Sequence, residues 1–315
     1  MTGALWALGS GLGFGVFQSL NRRALAGMDV ALSTFLQIVV SAIVLSLVSI
    51  ATQDLRLLAR APAGALVSFA LVGFIHFFLG WMLLNIGQHL IGAARTGPLL
   101  ATTPLFGAVL AALFLGEQPG LVTVAGMALT IGGVLVLSRE RDTVAEAPHD
   151  DEAPGTSGAV VTLTRSRRRA GTFAALGTAC CWALSPLFIR DGLEGLPSPL
   201  LGVTVSMVAS AVVFGAALAV RRARTESPPA VSREALGFKV AAGLLVGVAT
   251  WFRWIALDLT TVAVVLSVNS ISVPTVLLLA PLIVGRRQEH VTARLWFGAT
   301  LVVAGSLVLV LKGPT

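Results

Sequence analysis

The chain alternates between long apolar blocks and short polar segments. Ten apolar blocks of about twenty residues can be delimited, and each is long enough to cross the roughly 30 Å hydrocarbon core of a bilayer as a helix. They cover approximately residues 3–20, 30–50, 64–86, 92–114, 120–138, 171–189, 200–220, 236–257, 261–284 and 292–311. The pattern therefore predicts an all-α integral membrane protein with ten transmembrane helices.

The one long polar segment, residues 139–170, separates the fifth block from the sixth. It opens with alternating arginines and acids and closes with a run of arginines, which is typical of a solvated connector. We predict a polar linker here, between a first half at 1–138 and a second half at 171–315. A regulatory element built from its charge clusters is the alternative.

The two halves repeat a pattern. Glu117, Gly126 and Gly133 recur 172 positions later, as the following three residues: Glu289, Gly298 and Gly305. Shorter matches precede them in order, with offsets of 168 to 170: Gly3 with Gly171, Gln37 with Ser206, Gly73 with Gly243, Trp81 with Trp251 and Pro104 with Pro274. Each half holds five predicted spans, an odd number, so the two copies insert upside down relative to each other. Inverted repeats of this kind are typical of secondary transporters.

The repeated residues themselves are expected to be structural. Each glutamate is predicted at the turn that enters the last helix of its half. Each pair of glycines, seven residues apart, lies on one helix face, where small residues allow close helix packing.

Two five-helix units, a proline late in the fourth helix and Leu115-Gly116-Glu117 before a glycine-spaced fifth helix resemble the EamA-like family of the drug/metabolite transporter superfamily. The second copy departs from this motif, since Val284 to Gln288 make a longer and more basic turn. The resemblance implies a ten-helix carrier whose central cavity is lined mainly by the first, third and fourth helices of each half.

Composition agrees with a membrane protein. Hydrophobic residues make up 56% of the chain and charged residues 12%, and the mean hydropathy is +0.88. The net charge of +7 does not predict nucleic-acid binding, because the arginines lie between the apolar blocks, where positive charge orients spans. Most of them fall in the odd-numbered loops, which puts both termini outside the cytoplasm. The family resemblance implies termini inside, so the orientation is left open.

A few polar side chains lie inside the apolar blocks, where exposure to lipid is costly. His76 is near the middle of the third block, and it is either a substrate or proton group in the cavity or a partner of a neighbouring helix. Arg253 lies on a stripe of small residues in the eighth block; it either faces the cavity, favouring an anionic or zwitterionic substrate, or extends to the interface. Trp81 and Trp251 could line the cavity or anchor at an interface.

Gln18 and Asn269 complete the set of candidate substrate-binding residues. Pro104 and Pro274 each remove a backbone hydrogen bond inside a span, so we predict helix kinks or hinges there.

These features lead to one functional hypothesis. No Asp or Glu lies in the middle third of any predicted span. Small multidrug relatives use an acidic residue of the first helix to exchange protons for bulky cations, so this mechanism is disfavoured for this chain. We predict a secondary transporter in the plasma membrane that exports small polar metabolites, such as amino-acid-like compounds, by alternating access, with ion or proton coupling left open. We expect no catalytic residues, cofactor or metal. A membrane receptor or scaffold without transport activity is the alternative.

Overall fold

The first half of the chain is a series of helices in the computed structural model, which describes residues 2–114, 120–139, 143–145, 160–162, 165–223, 231–286 and 288–311. The helices of this half are α1 Thr2–Leu25, α2 Val30–Thr52, α3 Arg56–Arg60, α4 Ala63–Val72, α5 Trp81–Ile91, α6 Ala93–Leu100, α7 Thr103–Phe114 and α8 Leu121–Arg139. A π-helical segment, Gly73–Gly80, joins α4 to α5 without a break.

The second half repeats this order. Its helices are α9 Arg165–Gly195, α10 Pro199–Arg222, α11 Arg233–Leu259, α12 Val262–Asn269, α13 Ser272–Ile283 and α14 Ala293–Leu311. Every apolar block of the sequence is occupied by helix. Five helices are long and apolar enough to cross a bilayer by themselves: 30–52, 63–91, 165–195, 199–222 and 233–259. The remaining predicted spans coincide with shorter, interrupted or less apolar helices, so the number of ten spans stays a prediction.

The structure describes part of the predicted linker. Helix α9 begins at Arg165, so the arginine run that was assigned to the connector forms the first turns of this helix instead. Within the connector, strand β1 Thr143–Ala145 pairs antiparallel with β2 Val160–Thr162. The other linker residues, and Leu115 to Glu117 of the family motif, lie outside the described residues.

Side-chain caps start several helices at the polar boundaries. Asp29 accepts hydrogen bonds from the backbone N–H groups of Ala31 and Leu32 and so caps α2. Its partial burial would raise the pKa of this carboxyl, but the Leu32 hydrogen bond and the Arg221 guanidinium outweigh that effect, and the pKa lies below its usual value. Ser232 caps α11 in the same way, through Ala235.

Contacts between the halves are reciprocal. Helix α1 packs on α11, while its repeat equivalent α9 packs on the continuous helix 63–91; α2 packs on α10, and α8 on α14. A Cβ added at Gly3 would lie 3.0 Å from Thr260 Cβ, and one added at Gly171 would lie 3.0 Å from Leu90 Cβ. Because Gly3 aligns with Gly171 and Leu90 with Thr260, this is one contact made twice, as two copies related by a twofold axis produce.

A second contact is also made twice, once by each half. A Cβ at Gly73 would lie 2.5 Å from the carbonyl oxygen of Ser206, and one at Gly243 would lie 3.4 Å from that of Gln37. The sequence alignment of the halves pairs these residues in the same order. The duplication is therefore visible in the packing as well as in the sequence.

The repeated glycines of the last helix in each half lie where α8 crosses α14. A Cβ at Gly133 would lie 2.7 Å from the Val302 backbone nitrogen and 2.8 Å from the Gly298 carbonyl oxygen, and one at Gly305 would lie 2.7 Å from that of Gly126. Backbone atoms cannot move aside as a side chain does. The glycines thus allow the two helices to approach closely.

Candidate functional site

A cavity lies between the halves, at the level where two spans are broken. The first break is between α6 and α7 and the second between α12 and α13. The cavity is lined by the following residues: Phe14, Leu100, Ala101, Thr103, Pro104, Trp182, Arg253, Leu266, Asn269, Ser270 and Ser272. Its volume of about 40 Å³ holds a few water molecules and is well below the roughly 300 Å³ of small ligand pockets. In this conformation the cavity is therefore smaller than an ordinary ligand pocket.

Arg253 is the charged group of the cavity. Its side chain is only 8% exposed, so it does not extend to the surface, and its Nε and Nη2 atoms have no hydrogen-bond partner. The N–H groups of Nε and Nη2 point from the same edge of the guanidinium plane. They form a fork that matches the two oxygens of a carboxylate.

Asn269 stands at the break between α12 and α13. Its Oδ1 atom is buried without a hydrogen-bond partner, and a Cβ at Gly11 of α1 would lie 3.1 Å from its Cα atom. Glycine at position 11 thus lets α1 pass close to this break. The cavity thus offers one unfilled hydrogen-bond acceptor beside the two unfilled donors of Arg253.

His76 lies behind the cavity wall, in the π-helical segment. It is 5% exposed; its ring stacks on Trp182 with the centroids 5.2 Å apart, and its Nδ1 atom is 2.8 Å from Ser185 Oγ. The Ser185 hydroxyl also donates to the Cys181 carbonyl oxygen, 2.8 Å away, and it has only one proton. His76 Nδ1 therefore donates to Ser185, and in the neutral ring Nε2 is the acceptor. π-Helical segments are frequent at functional sites.

The other candidate residues do not line this cavity. Trp81 is fully buried between Phe17 and Phe77, and Trp251 is half-buried beside Phe252. Gln18 is buried and its amide has no hydrogen-bond partner. Its Oε1 atom lies 3.5 Å from the position of a Cβ on Gly97 in α6, so it faces the fourth helix of its half.

The prolines act differently from the kinks we predicted. Pro104 and Pro274 lie in the first turns of α7 and α13, where the N–H of an ordinary residue would have no acceptor within the helix. The Leu100 carbonyl, four residues before Pro104, accepts the Thr103 hydroxyl at 2.7 Å. The chain thus breaks and restarts before each proline instead of bending at it.

Sequence reasoning missed residues that the fold brings to the site and to its surroundings. Trp182 and Ser185 lie on α9, where a tryptophan and a serine in an apolar block gave no distinct signal. Lys239 was missed because it is near the start of its block, yet it is completely buried. A marker was available, since a lysine one or two turns inside a predicted span is costly unless it has partners.

Comparisons with known proteins agree on the fold. The model of the EamA-like transporter family matches residues 1–139 and 169–311, which together are most of the chain. A solved structure described as "Crystal structure of protein" has a TM-score of 0.63 and 19% sequence identity, covering 98% of this chain and 96% of that chain. At this identity the likeness shows the fold alone. A comparison with curated proteins finds no match. The two-repeat match shows that the chain belongs to the EamA-like transporter family, and it is thus a multi-pass membrane transporter of small molecules.

Proposed function

We propose that the chain is a secondary transporter that exports small polar metabolites, amino-acid-like compounds among them, across the plasma membrane by alternating access. It does so with ten spans in two inverted five-helix repeats, at 1–138 and 171–315. The reciprocal contacts between the halves and the small cavity between them support this proposal. A carrier of this kind exposes the cavity first to one side and then to the other, as its halves rock about the fixed site.

The observation that carries the substrate class is the unpartnered fork of Arg253. A buried guanidinium in a membrane needs a counter-charge, and no carboxylate pairs with it among the described residues. A substrate carboxylate would supply that charge through two parallel hydrogen bonds. Asn269 Oδ1 would accept an N–H from the same molecule, so a zwitterion such as an amino acid fits both groups.

The aromatic wall would contact the apolar part of the substrate. Phe14 and Trp182 both line the cavity and pack edge to face, with the ring centroids 5.2 Å apart. His76 stacks on Trp182 as well and would couple transport to a proton. In the neutral ring Nε2 would be the atom that takes up the proton, and the Ser185 contact holds the ring in place.

The test is substrate exchange in proteoliposomes that contain the full chain. Vesicles preloaded with one unlabelled amino acid or hydroxy acid are assayed for uptake of the labelled compound. We expect exchange for compounds that carry a carboxylate. Arg253→Lys keeps the charge but removes the fork, and since a hydrogen bond to a charged group contributes about 1.5–3 kcal/mol, KM should rise at least tenfold.

Arg56→Lys is the matched control, because Arg56 is exposed on α3, away from the cavity, and its KM should not change. An Arg253→Lys protein that transports like the control would refute the assignment of the carboxylate site. If no carboxylate compound exchanges while the protein remains folded, the receptor or scaffold alternative is favoured.

A further inference from the structure

Lys239 forms a second buried cationic site, remote from the cavity. It lies in α11 and is 0% exposed. Fourteen residues separate it from Arg253 on the same helix, which corresponds to about 20 Å along the axis. Its Nζ atom donates to Asn21 Oδ1, and also to Gln37 Oε1 at 2.8 Å. Both partners are neutral amides.

The lysine fixes the orientation of every amide around it. An ammonium group only donates, so the Asn21 and Gln37 atoms that face it are oxygens. The Asn21 nitrogen must then donate, and it does so to Asn85 Oδ1 at 2.5 Å and to Gln88 Oε1 at 2.7 Å. All hydrogen bonds of this network therefore run in one direction: the oxygens of Asn21 and Gln37 accept from Lys239, and the Asn21 nitrogen donates onward to Asn85 and Gln88.

The hydrogen-bonding capacity that remains in this cluster consists of donors. The third N–H of the Lys239 ammonium has no partner among the described residues. The Nε2 atoms of Gln37 and Gln88 are both buried without a partner. Gln37 Nε2 belongs to the same amide whose oxygen contacts Nζ, so it lies within a few ångströms of the charge.

The acids at this end of the molecule are already paired with arginines. Within the described ranges, Glu289 pairs with Arg22 at 3.1 Å, Glu234 with Arg23 at 2.6 Å, and Asp29 pairs with Arg221. None of them pairs with Lys239. A buried charge without a counter-ion is destabilising, so an anion from outside the chain would stabilise the charged form of this lysine.

We propose that Lys239 and Gln37 form a binding site for a small monovalent anion, either an inorganic halide such as chloride or a carboxylate. Such an ion accepts hydrogen bonds and has nothing to donate, which matches the unfilled donors of the cluster. It also neutralises the buried Lys239 ammonium, which pairs with no carboxylate in the described part of the chain. If the bound anion is a halide, the site is independent of the proposed function; if it is a carboxylate, the site rests on that function.

Binding is tested by thermal unfolding of the purified full chain in detergent. Sodium chloride, bromide, formate and gluconate are compared at constant ionic strength, with gluconate as the anion too large for the site. We expect a saturable rise in Tm with chloride and bromide. A rise with formate alone assigns the site to carboxylates, and equal Tm values in all four salts would overturn the proposal.

Two variants locate the effect. Lys239→Met removes the charge and should abolish the anion dependence. Gln37→Glu keeps the side-chain shape and places a permanent carboxylate beside Nζ, so this protein should fold well and show no anion dependence even if Lys239→Met fails to fold. Exposed Arg56→Gln should retain the full dependence. An anion effect that persists in Gln37→Glu would show a binding site elsewhere and contradict the assignment.

Crystals grown with bromide give a direct readout that does not depend on transport. An anomalous peak beside Nζ in the wild type, absent in Gln37→Glu, is the expected result. Its absence in the wild type would refute the halide source. Failure of carboxylate exchange at Arg253 would leave this measurement unaffected, so the two proposals can fail separately.

Discussion

Glu289 fixes the start of the fourth span, and replacing it by glutamine tests how much that contact stabilises the fold. Its carboxylate is 3% exposed and accepts the backbone N–H of Ala93 at 2.8 Å and that of Ala94 at 3.0 Å, which caps α6. The Arg22 Nε atom donates to the same Oε1 atom at 3.1 Å. Three donors therefore converge on two carboxylate oxygens.

The magnitude follows from this geometry. Glutamine has the same shape but only one oxygen, so in either amide orientation at least one of the three donors faces an NH2 group. A hydrogen bond to a charged group contributes about 1.5–3 kcal/mol, and a buried donor left unpaired costs about 1–3 kcal/mol. Arg22 is 12% exposed and recovers part of its loss by contact with solvent. We therefore expect a loss of about 3 kcal/mol, roughly a hundredfold in the folding equilibrium.

The assay is reversible unfolding in mixed micelles, followed by tryptophan fluorescence. Glu194→Gln, at an exposed position on α9, should change the free energy of unfolding by less than about 0.5 kcal/mol. In the background of Arg22→Gln, the effect of Glu289→Gln should shrink by at least about 1 kcal/mol, since the pair is coupled. A Glu289→Gln protein as stable as Glu194→Gln would refute the reasoning.

Two other predictions test the packing and the polar boundary. Gly133→Ala should destabilise the protein by about 1–3 kcal/mol, because its Cβ would meet the backbone of α14. Gly132→Ala is the control and should be neutral, because its Cβ meets nothing within 4 Å. Equal free energies of unfolding for the two variants would contradict this interface. Asp29→Asn keeps the N-cap but loses the charge that faces Arg221. Because the pKa of Asp29 is lowered on folding, its stabilisation is present at neutral pH and is lost as the pH falls below about 4, so wild type and variant should converge there; a gap that stays constant with pH would show that the charge contributes nothing.

Much of the fold followed from local sequence. Twenty-residue apolar blocks form helices because a bilayer leaves backbone groups no other partners. Helix occupies every predicted block, although two blocks are interrupted, at 101–102 and at 270–271. The repeated glycines, seven residues apart, predicted a closely packed face, and they lie at the α8–α14 crossing. The glutamate of the same motif was expected at a turn, but that it caps α6 could not be read from sequence, because its partners are about 195 residues away.

The site could be predicted only in part. Polar residues in apolar blocks are few, so His76, Arg253 and Asn269 could be selected as candidates by their cost in lipid. In a helix that is apolar on all sides, the distribution of apolar residues does not show which face packs against protein. The sequence therefore left open whether Arg253 points inward or toward the membrane interface. The same ambiguity left open whether Trp81 lines the cavity or anchors at an interface; in the structure its ring packs against Phe17 and Phe77.

The sequence by itself determined the membrane environment, the helices, the duplication and the family, because these depend on composition, block length and order along one chain. The tertiary structure alone decided that Arg253 faces a small cavity with its fork unpaired and that Lys239 is buried among amides from α1 and α2. Both outcomes depend on which helices of the two halves become neighbours. The free energy of a buried charge depends on the groups that surround it, and the position of the charged residue in the sequence does not specify those groups.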